Sequence, residues 1–391
     1  MELTDERVIF GRVSDLDQVE APSPLGSIIL EEEQRFFQYH PVIVSNDVDA
    51  NYEMPAIWDH VRYRHSTVIR HIRDCLVFGS NFVVDSEQNT FCDELSFRRG
   101  AFEFYNVFIR GLAPGNLPEC IFSDGGLSLR WSSDPMQKAI CIDEPVYLLT
   151  PIEHDNWGRW ICQVLPRLEY VKRLDPDYKI LIRCSASWQR QFLQFCEIDL
   201  SRVIEQDPTK IYKIKTLKSF QHNAVDFTVS LKEMDLYKKI SSRFRKKDGS
   251  YENIFLSRRH IALRNGQYRV LENEDKLIER LEKLNFRCFE PELHSFEEQI
   301  SCLSSARNIV GLGGSAIFNA VFCPDDARYI TVESQPTFIA THTGFLASLS
   351  LWHGVIFGRP IDLAQCGVNA HANWTVDIER ALQAISQAMR G

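Results

Sequence analysis

The residues best suited to chemistry lie between positions 254 and 333. Ile254-Phe255-Leu256-Ser257 is a short apolar run that opens directly into Arg258 and Arg259, with Arg264 and Arg269 following a loop. Asn308-Ile309-Val310 runs into Gly311-Leu312-Gly313-Gly314-Ser315-Ala316, and Arg328-Tyr329-Ile330-Thr331-Val332 delivers Glu333. A glycine turn between a strand and a helix presents backbone N–H groups to phosphate. Arginines at a strand end neutralise a diphosphate. An acid closing the next strand accepts hydrogen bonds from ribose hydroxyls. Together these segments read as a nucleotide site. The turn also fits the dinucleotide pattern G-x-G-x-x-A, with Glu333 about 20 residues on. That fingerprint, however, follows the first strand of its domain, and here two strand–helix units come first. Close packing of helix on strand is the other use such glycines have. Arg258 would otherwise be a surface ion pair, and Glu274 is either a donor-side residue or a first-turn acid favoured by the helix dipole.

A second cluster is Glu153-His154-Asp155, which offers three candidate bases at a strand-to-helix junction. Group transfer from a nucleotide to a hydroxyl needs a base to take that hydroxyl's proton, and His154 and Asp155 are the candidates. The competing reading is that Asp155 or Asn156 caps the helix that follows. His222, His260, His294 and His342 are scattered and read as structural or surface residues. A leaving diphosphate is stabilised either by a metal or by arginine and a helix N-terminus, and the second solution is expected here.

These residues need α/β elements to hold them. Between Thr67 and Leu149 short apolar runs separated by turn residues predict a β-rich region over 66–150. Trp160, Ile161, Val164, Leu165, Leu168, Val171 and Leu174 then fall at helical spacing. Pro166 sits within that pattern and should kink the helix near residue 162. Lys179 to Ile182 reads as a strand, Ala186 to Cys196 as a helix, and Val203-Ile204 and Ile211 to Leu217 as strands, giving an α/β unit over 151–240. The polar stretch 243–253 reads as a linker. A second α/β unit over 246–375 contains a helix at 274–284 with a Glu279–Lys283 pair. It also contains a capping box at Ser295-Phe296-Glu297-Glu298. A last helix covers Val376 to Met389, within 376–391.

Composition narrows the classes of function. The chain has 391 residues, 44% of them apolar, and a formal charge of -9. That charge argues against a general nucleic-acid binder. The charged N-terminus lacks a secretory signal, and no apolar run reaches the roughly 18–20 residues that span a bilayer. A cytoplasmic protein is expected, with peripheral attachment at the inner membrane face left open. Eleven cysteines form no CxxC pair, so reduced, mostly buried thiols are expected and no structural metal.

Taken in order, several segments resemble glycosyltransferase family 61. They are Asn253 to Arg258, Arg269 to Glu274, Ser295 to Ile300, Asn308 to Gly311, Gly314, Asn319, Phe322-Cys323-Pro324 and Ile330 to Glu333. Asn156-Trp157-Gly158-Arg159-Trp160 followed by Leu165-Pro166-Arg167-Leu168 is similar to that family's N-terminal motif. The resemblance spans roughly residues 70–335. It implies a GT-B-like fold, with two facing Rossmann-like domains and a β-rich N-terminal part. The acceptor-side domain would be 1–245 and the nucleotide-sugar domain 246–375. It implies inverting, metal-independent transfer from a nucleoside-diphosphate sugar, UDP being the favoured nucleotide. The acceptor would be a glycan or lipid-linked glycan in surface or capsular polysaccharide assembly, with no cofactor. On this reading Arg258, Arg269, Glu274, Gly311, Gly313, Gly314, Ser315, Asn319 and Glu333 serve the donor, and Asn156 and Arg159 touch acceptor or phosphate. Two positions depart from the family pattern: Arg159 and Gly313 stand where it has histidine. Either donor and acceptor differ, with Arg159 taking a phosphate or carboxylate contact, or catalysis is weakened and the chain is a silent binding or scaffold relative. A nicotinamide-dependent oxidoreductase is the remaining alternative.

Overall fold

The computed structural model describes residues 7–11, 27–31, 34–38, 42–46, 60–64, 67–85, 90–91, 106, 109–113, 115–123, 126–132, 134–221, 227–246, 251–260, 269–334, 339–361 and 373–390. Arg264 and His222 lie outside them. The chain is a mixed α/β protein whose contacts divide it into two compact units. One comprises Met1–Gln34 and Arg64–Val225, the other Arg35–Tyr63 and Asp226–Gly391.

In the first unit a long strand, β1 (Thr67–Phe78), pairs antiparallel with β2 (Phe82–Val84). The chain then enters a parallel block. Strand β3 (Val146–Leu148) leads to helix α1 (Leu165–Leu174), β4 (Lys179–Ile182), helix α2 (Ser187–Phe195), β5 (Val203–Glu205) and β6 (Ile211–Gln221). The sheet order is β5-β4-β3-β6-β1-β2. Strands β3 and β4 are unbroken apolar runs because a parallel sheet is covered on both faces: Tyr147, Ile180, Leu181 and Ile182 are all fully buried. The first two crossovers step one way from β3, and the third returns to its other side as β6. The order therefore reverses between β3 and β6. Ligands of open α/β sheets bind beyond the strand carboxyl ends at such a reversal.

Pro166 is accommodated without a break. It lies inside one continuous helical stretch, Trp157–Leu174, so its missing N–H leaves a carbonyl of the preceding turn without that donor. The turn before it, Trp160–Val164, widens into a π-helix, so the expected kink is taken up as a π turn.

The second unit begins with helix α3 (Leu231–Phe244), capped by a reciprocal Ser230–Glu233 box. Tyr237 packs edge-on against Phe322, and the Ser241 hydroxyl donates to the Phe322 carbonyl at 3.0 Å. These contacts put the boundary between units at residues 225–226, ahead of the polar stretch 243–253. The fold continues β7 (Asn253–Leu256), α4 (Glu274–Glu282), β8 (Arg287–Phe289), α5 (Phe296–Ser305), β9 (Asn308–Leu312), β10 (Arg328–Glu333), α6 (Ile339–Ser348), β11 (Trp352–Phe357) and α7 (Ile378–Arg390). The sheet is wholly parallel, in the order β8-β7-β9-β10-β11, and is extended by the early strand Val42–Asn46 beside β11. Leu277, Ile278 and Leu281 of α4 face the core with Ala381, Leu382 and Ile385 of α7. Burial of each larger side chain contributes about 1.5–3 kcal/mol. The expected Ser295–Glu298 capping box and Glu279–Lys283 pair are both present. Here the strand order reverses between β7 and β9.

Candidate functional site

In the second unit, Ser257 and Arg258 leave the end of β7, and residues 313–316 leave the end of β9. The two segments flank the point where strand order reverses. Glu274, in the first turn of α4, fixes the β7 exit. Its carboxylate accepts from the Ser257 hydroxyl at 2.6 Å and from the Arg258 N–H at 3.2 Å. Burial pushes the Glu274 carboxyl above its ordinary value, against the pull of these donors and of Arg259 and Arg258. Glu274 is thus a buried anchor for Arg258.

Both cationic residues converge on one carbonyl. Arg258 Nη1 donates to the Gly313 oxygen at 2.6 Å, and Arg269 Nη2 to the same atom at 3.2 Å. Arg269 is buried and adopts a left-handed φ of 56°. The Gly313 N–H is also engaged, donating to the Val332 carbonyl at 2.9 Å. Gly313 is therefore engaged within the protein at both its N–H and its carbonyl. Ser315 and Ala316 are the turn's partly exposed members and begin the 3-10 helix Ser315–Phe322, whose first N–H groups have no intrahelical acceptor. Gly314 packs against the Arg258 side chain: a Cβ there would stand 2.9 Å from Nε. Gly311 lies inside β9, where a Cβ would meet the Tyr329 hydroxyl at 2.8 Å. That glycine belongs to the sheet.

Glu333, at the end of β10, is completely buried. Its Oε1 pairs with His342 Nδ1 at 2.6 Å, and its Oε2 has no hydrogen-bond partner. A Cβ on residue 313 would stand 2.0 Å from that Oε2. The carboxylate expected on a ribose thus stands behind the turn, filling the space that glycine leaves. His342, read from the sequence as structural or surface, is its partner from α6, and also meets Phe318 edge-on. Only a fold that brings α6 back over β10 reveals this pair. Asn319 lies apart from the turn: fully buried, it donates to Gln299 Oε1 at 3.0 Å and ties the 3-10 helix to α5.

In the first unit, the segment after β3 carries the second cluster. Asn156 caps the next helix, accepting from the N–H groups of Gly158 at 2.9 Å and Arg159 at 3.4 Å. Arg159 is buried, and its Nε donates to Glu153 at 2.9 Å. The His154 carbonyl accepts from Trp160 Nε1 at 2.8 Å and Gln189 Nε2 at 2.9 Å, which pins the loop. The His154 ring then spans two groups, Ser80 Oγ at 3.2 Å from Nδ1 and Asp155 Oδ2 at 3.3 Å from Nε2. Gln189 Nε2 reaches Asp155 Oδ1 at 3.3 Å. Asp155 is largely exposed while His154 is mostly enclosed. The hydrogen bond from His154 chiefly holds the Asp155 carboxyl below its ordinary value; burial opposes this, and Arg183 and Gln189 assist. The arrangement is an exposed carboxylate, oriented from behind by an imidazole and an amide.

Among the described residues no helix is long and apolar enough to cross a membrane. Of the cysteines among them, nine are free thiols. Compared with known proteins, residues 157–330 match the family model described as Glycosyltransferase 61, which bears out the resemblance read from the sequence. No curated protein matches the chain.

Proposed function

We propose, from the match of residues 157–330 to the family model described as Glycosyltransferase 61, that this protein transfers a sugar from a nucleoside-diphosphate donor, UDP by preference, to a glycan or lipid-linked glycan. The setting would be surface or capsular polysaccharide assembly. The observation that carries the donor side is the convergence of Arg258 and Arg269 on Gly313, beside the start of the 3-10 helix Ser315–Phe322, at the reversal of a parallel sheet. Such a cation pair with a helix N-terminus neutralises a leaving diphosphate without a metal. Glu333 and Glu274 serve this site from behind, by holding the turn and the arginine.

The two-unit organisation supports a GT-B reading, with the donor on the second unit and the acceptor on the first. Asp155 takes the base role. In a single displacement, the acceptor hydroxyl loses its proton to Asp155 while its oxygen attacks the anomeric carbon. The bond from that carbon to the diphosphate oxygen breaks, and the nucleoside diphosphate leaves with the electron pair. The anomeric centre is inverted. Asn156 and Arg159 contribute through the loop they brace.

A catalytically silent relative is the second reading, favoured by one observation: both polar groups of Gly313 are already satisfied internally. An oxidoreductase fits less well, since the glycine turn does not follow the first strand of its unit. Calorimetric titration with UDP, GDP, CMP and NAD, without and with a divalent cation, tests the proposal. UDP binding that needs no metal, weakened by about tenfold or more in the Arg258→Ala variant while the fold persists, is the expected result. No nucleotide binding would favour the silent relative.

A further inference from the structure

The first unit holds a cation that neither the family match nor the base assignment uses. Arg183 is the first residue beyond β4, on the same carboxyl edge of the sheet as the 150–156 segment. The backbone around it is pinned. Its N–H donates to the buried Thr150 hydroxyl at 2.8 Å, Leu149 N–H to the Leu181 carbonyl at 3.0 Å, and Gln206 N–H to the Ile182 carbonyl at 3.0 Å.

Two other arginines on this side of the unit are committed. Arg159 pairs with Glu153 at 2.9 Å and Arg190 with Glu205 at 2.6 Å. The Arg183 guanidinium makes no ion pair or hydrogen bond to any described residue, and its Nε is buried without an acceptor. Burying a donor unsatisfied is unfavourable. Here it sits on a strand end next to a sheet reversal, where α/β sheets take ligands. Its charge also reaches the Asp155 carboxylate.

We propose that Arg183 binds an anionic group on the acceptor, a carboxylate or a phosphate, and so places one of that molecule's hydroxyls at Asp155. The planar guanidinium fork suits both anions, which present paired oxygens. The nearby negative charge of Asp155 demands that the anion and the reacting hydroxyl be separate groups of one molecule. The acceptor is then an acidic sugar or a phosphate-bearing glycan precursor, not a neutral glycan. The term acceptor rests on the glycosyltransferase reading; the anion site itself does not.

The test is calorimetric titration of the full chain, without nucleotide, using glucuronate and glycerol 3-phosphate, with glucose and glycerol as neutral controls. Saturable binding of at least one anion, and of neither control, is expected. Arg183→Gln should weaken it about tenfold or more, and Lys283→Gln, at the exposed end of α4 in the other unit, should leave it unchanged. Asp155→Asn should tighten it, by removing a like charge, and this arm holds even if Arg183→Gln fails to fold. Glucuronate alone would identify a carboxylate acceptor and glycerol 3-phosphate alone a phosphate. No binding of either anion, equal binding in Arg183→Gln, loss in Lys283→Gln, or no tightening in Asp155→Asn would each overturn the proposal. Failure of UDP to bind would strike the donor assignment and leave this result standing.

Discussion

Gly313 and Glu333 occupy one space: a Cβ on residue 313 would stand 2.0 Å from Glu333 Oε2 and 2.5 Å from its carboxyl carbon. The turn and the acid at the end of the next strand are therefore a matched pair. Gly313→Ala must displace the carboxylate, its His342 partner or the turn, at a cost of about 1–3 kcal/mol. Glu333→Ala removes the obstacle. The double variant should be more stable than the sum of the single effects allows, by about 0.5–3 kcal/mol in denaturant unfolding. Strict additivity would show that the glycine is there for another reason.

The Asp155 carboxyl is held below its ordinary value of 3.8, first by the His154 hydrogen bond. It is therefore ionised, and able to accept a proton, at every pH above that value. Any acid limb of the transfer rate that belongs to Asp155 lies below 3.8. His154→Gln removes the largest cause and should move that limb upward. Asp155→Asn should lower turnover by about 10²–10⁴-fold and leave donor binding unchanged. A rate unaffected by Asp155→Asn would assign the base elsewhere.

Glu274 has the opposite sign. Its carboxyl is raised by burial above 4.5, so the folded protein favours the protonated form. Its stabilising contribution is complete at acid pH and declines as pH rises through the folded value. Glu274→Gln keeps an acceptor for Ser257 and the Arg258 N–H without the buried charge. The variant should gain stability relative to wild type as pH rises above 4.5, measured as a shift in Tm. A difference independent of pH would mean that the charge is compensated by Arg258 and Arg259.

Much of this architecture was legible in the sequence because local rules govern it. The unbroken apolar run at Lys179–Ile182, the Ser295–Glu298 box and the stripe Leu277, Ile278, Leu281 each declare their element within a few residues. The glycine turn and the arginine at a strand end were equally readable, since type and spacing carry their meaning. What was hidden depends on long-range return of the chain. Nothing near His342 announces that α6 brings it to Glu333, and Asn319, close in sequence to the turn, points instead to Gln299 on α5.

The strand Val42–Asn46 lies beside β11, Trp352–Phe357, in the second unit's sheet. During synthesis it leaves the ribosome roughly 300 residues before its partner does. At about 5–20 residues per second, that is a wait of roughly 15–60 s. For that interval an early β-segment is without its mate, and when β11 emerges its buried edge is a template for any strand within reach. The nascent chain must hold an unmatched strand in trust while an entire other unit is built between the two halves. Chaperone demand, and misassembly between neighbouring copies on a polysome, should therefore be set by this one pairing.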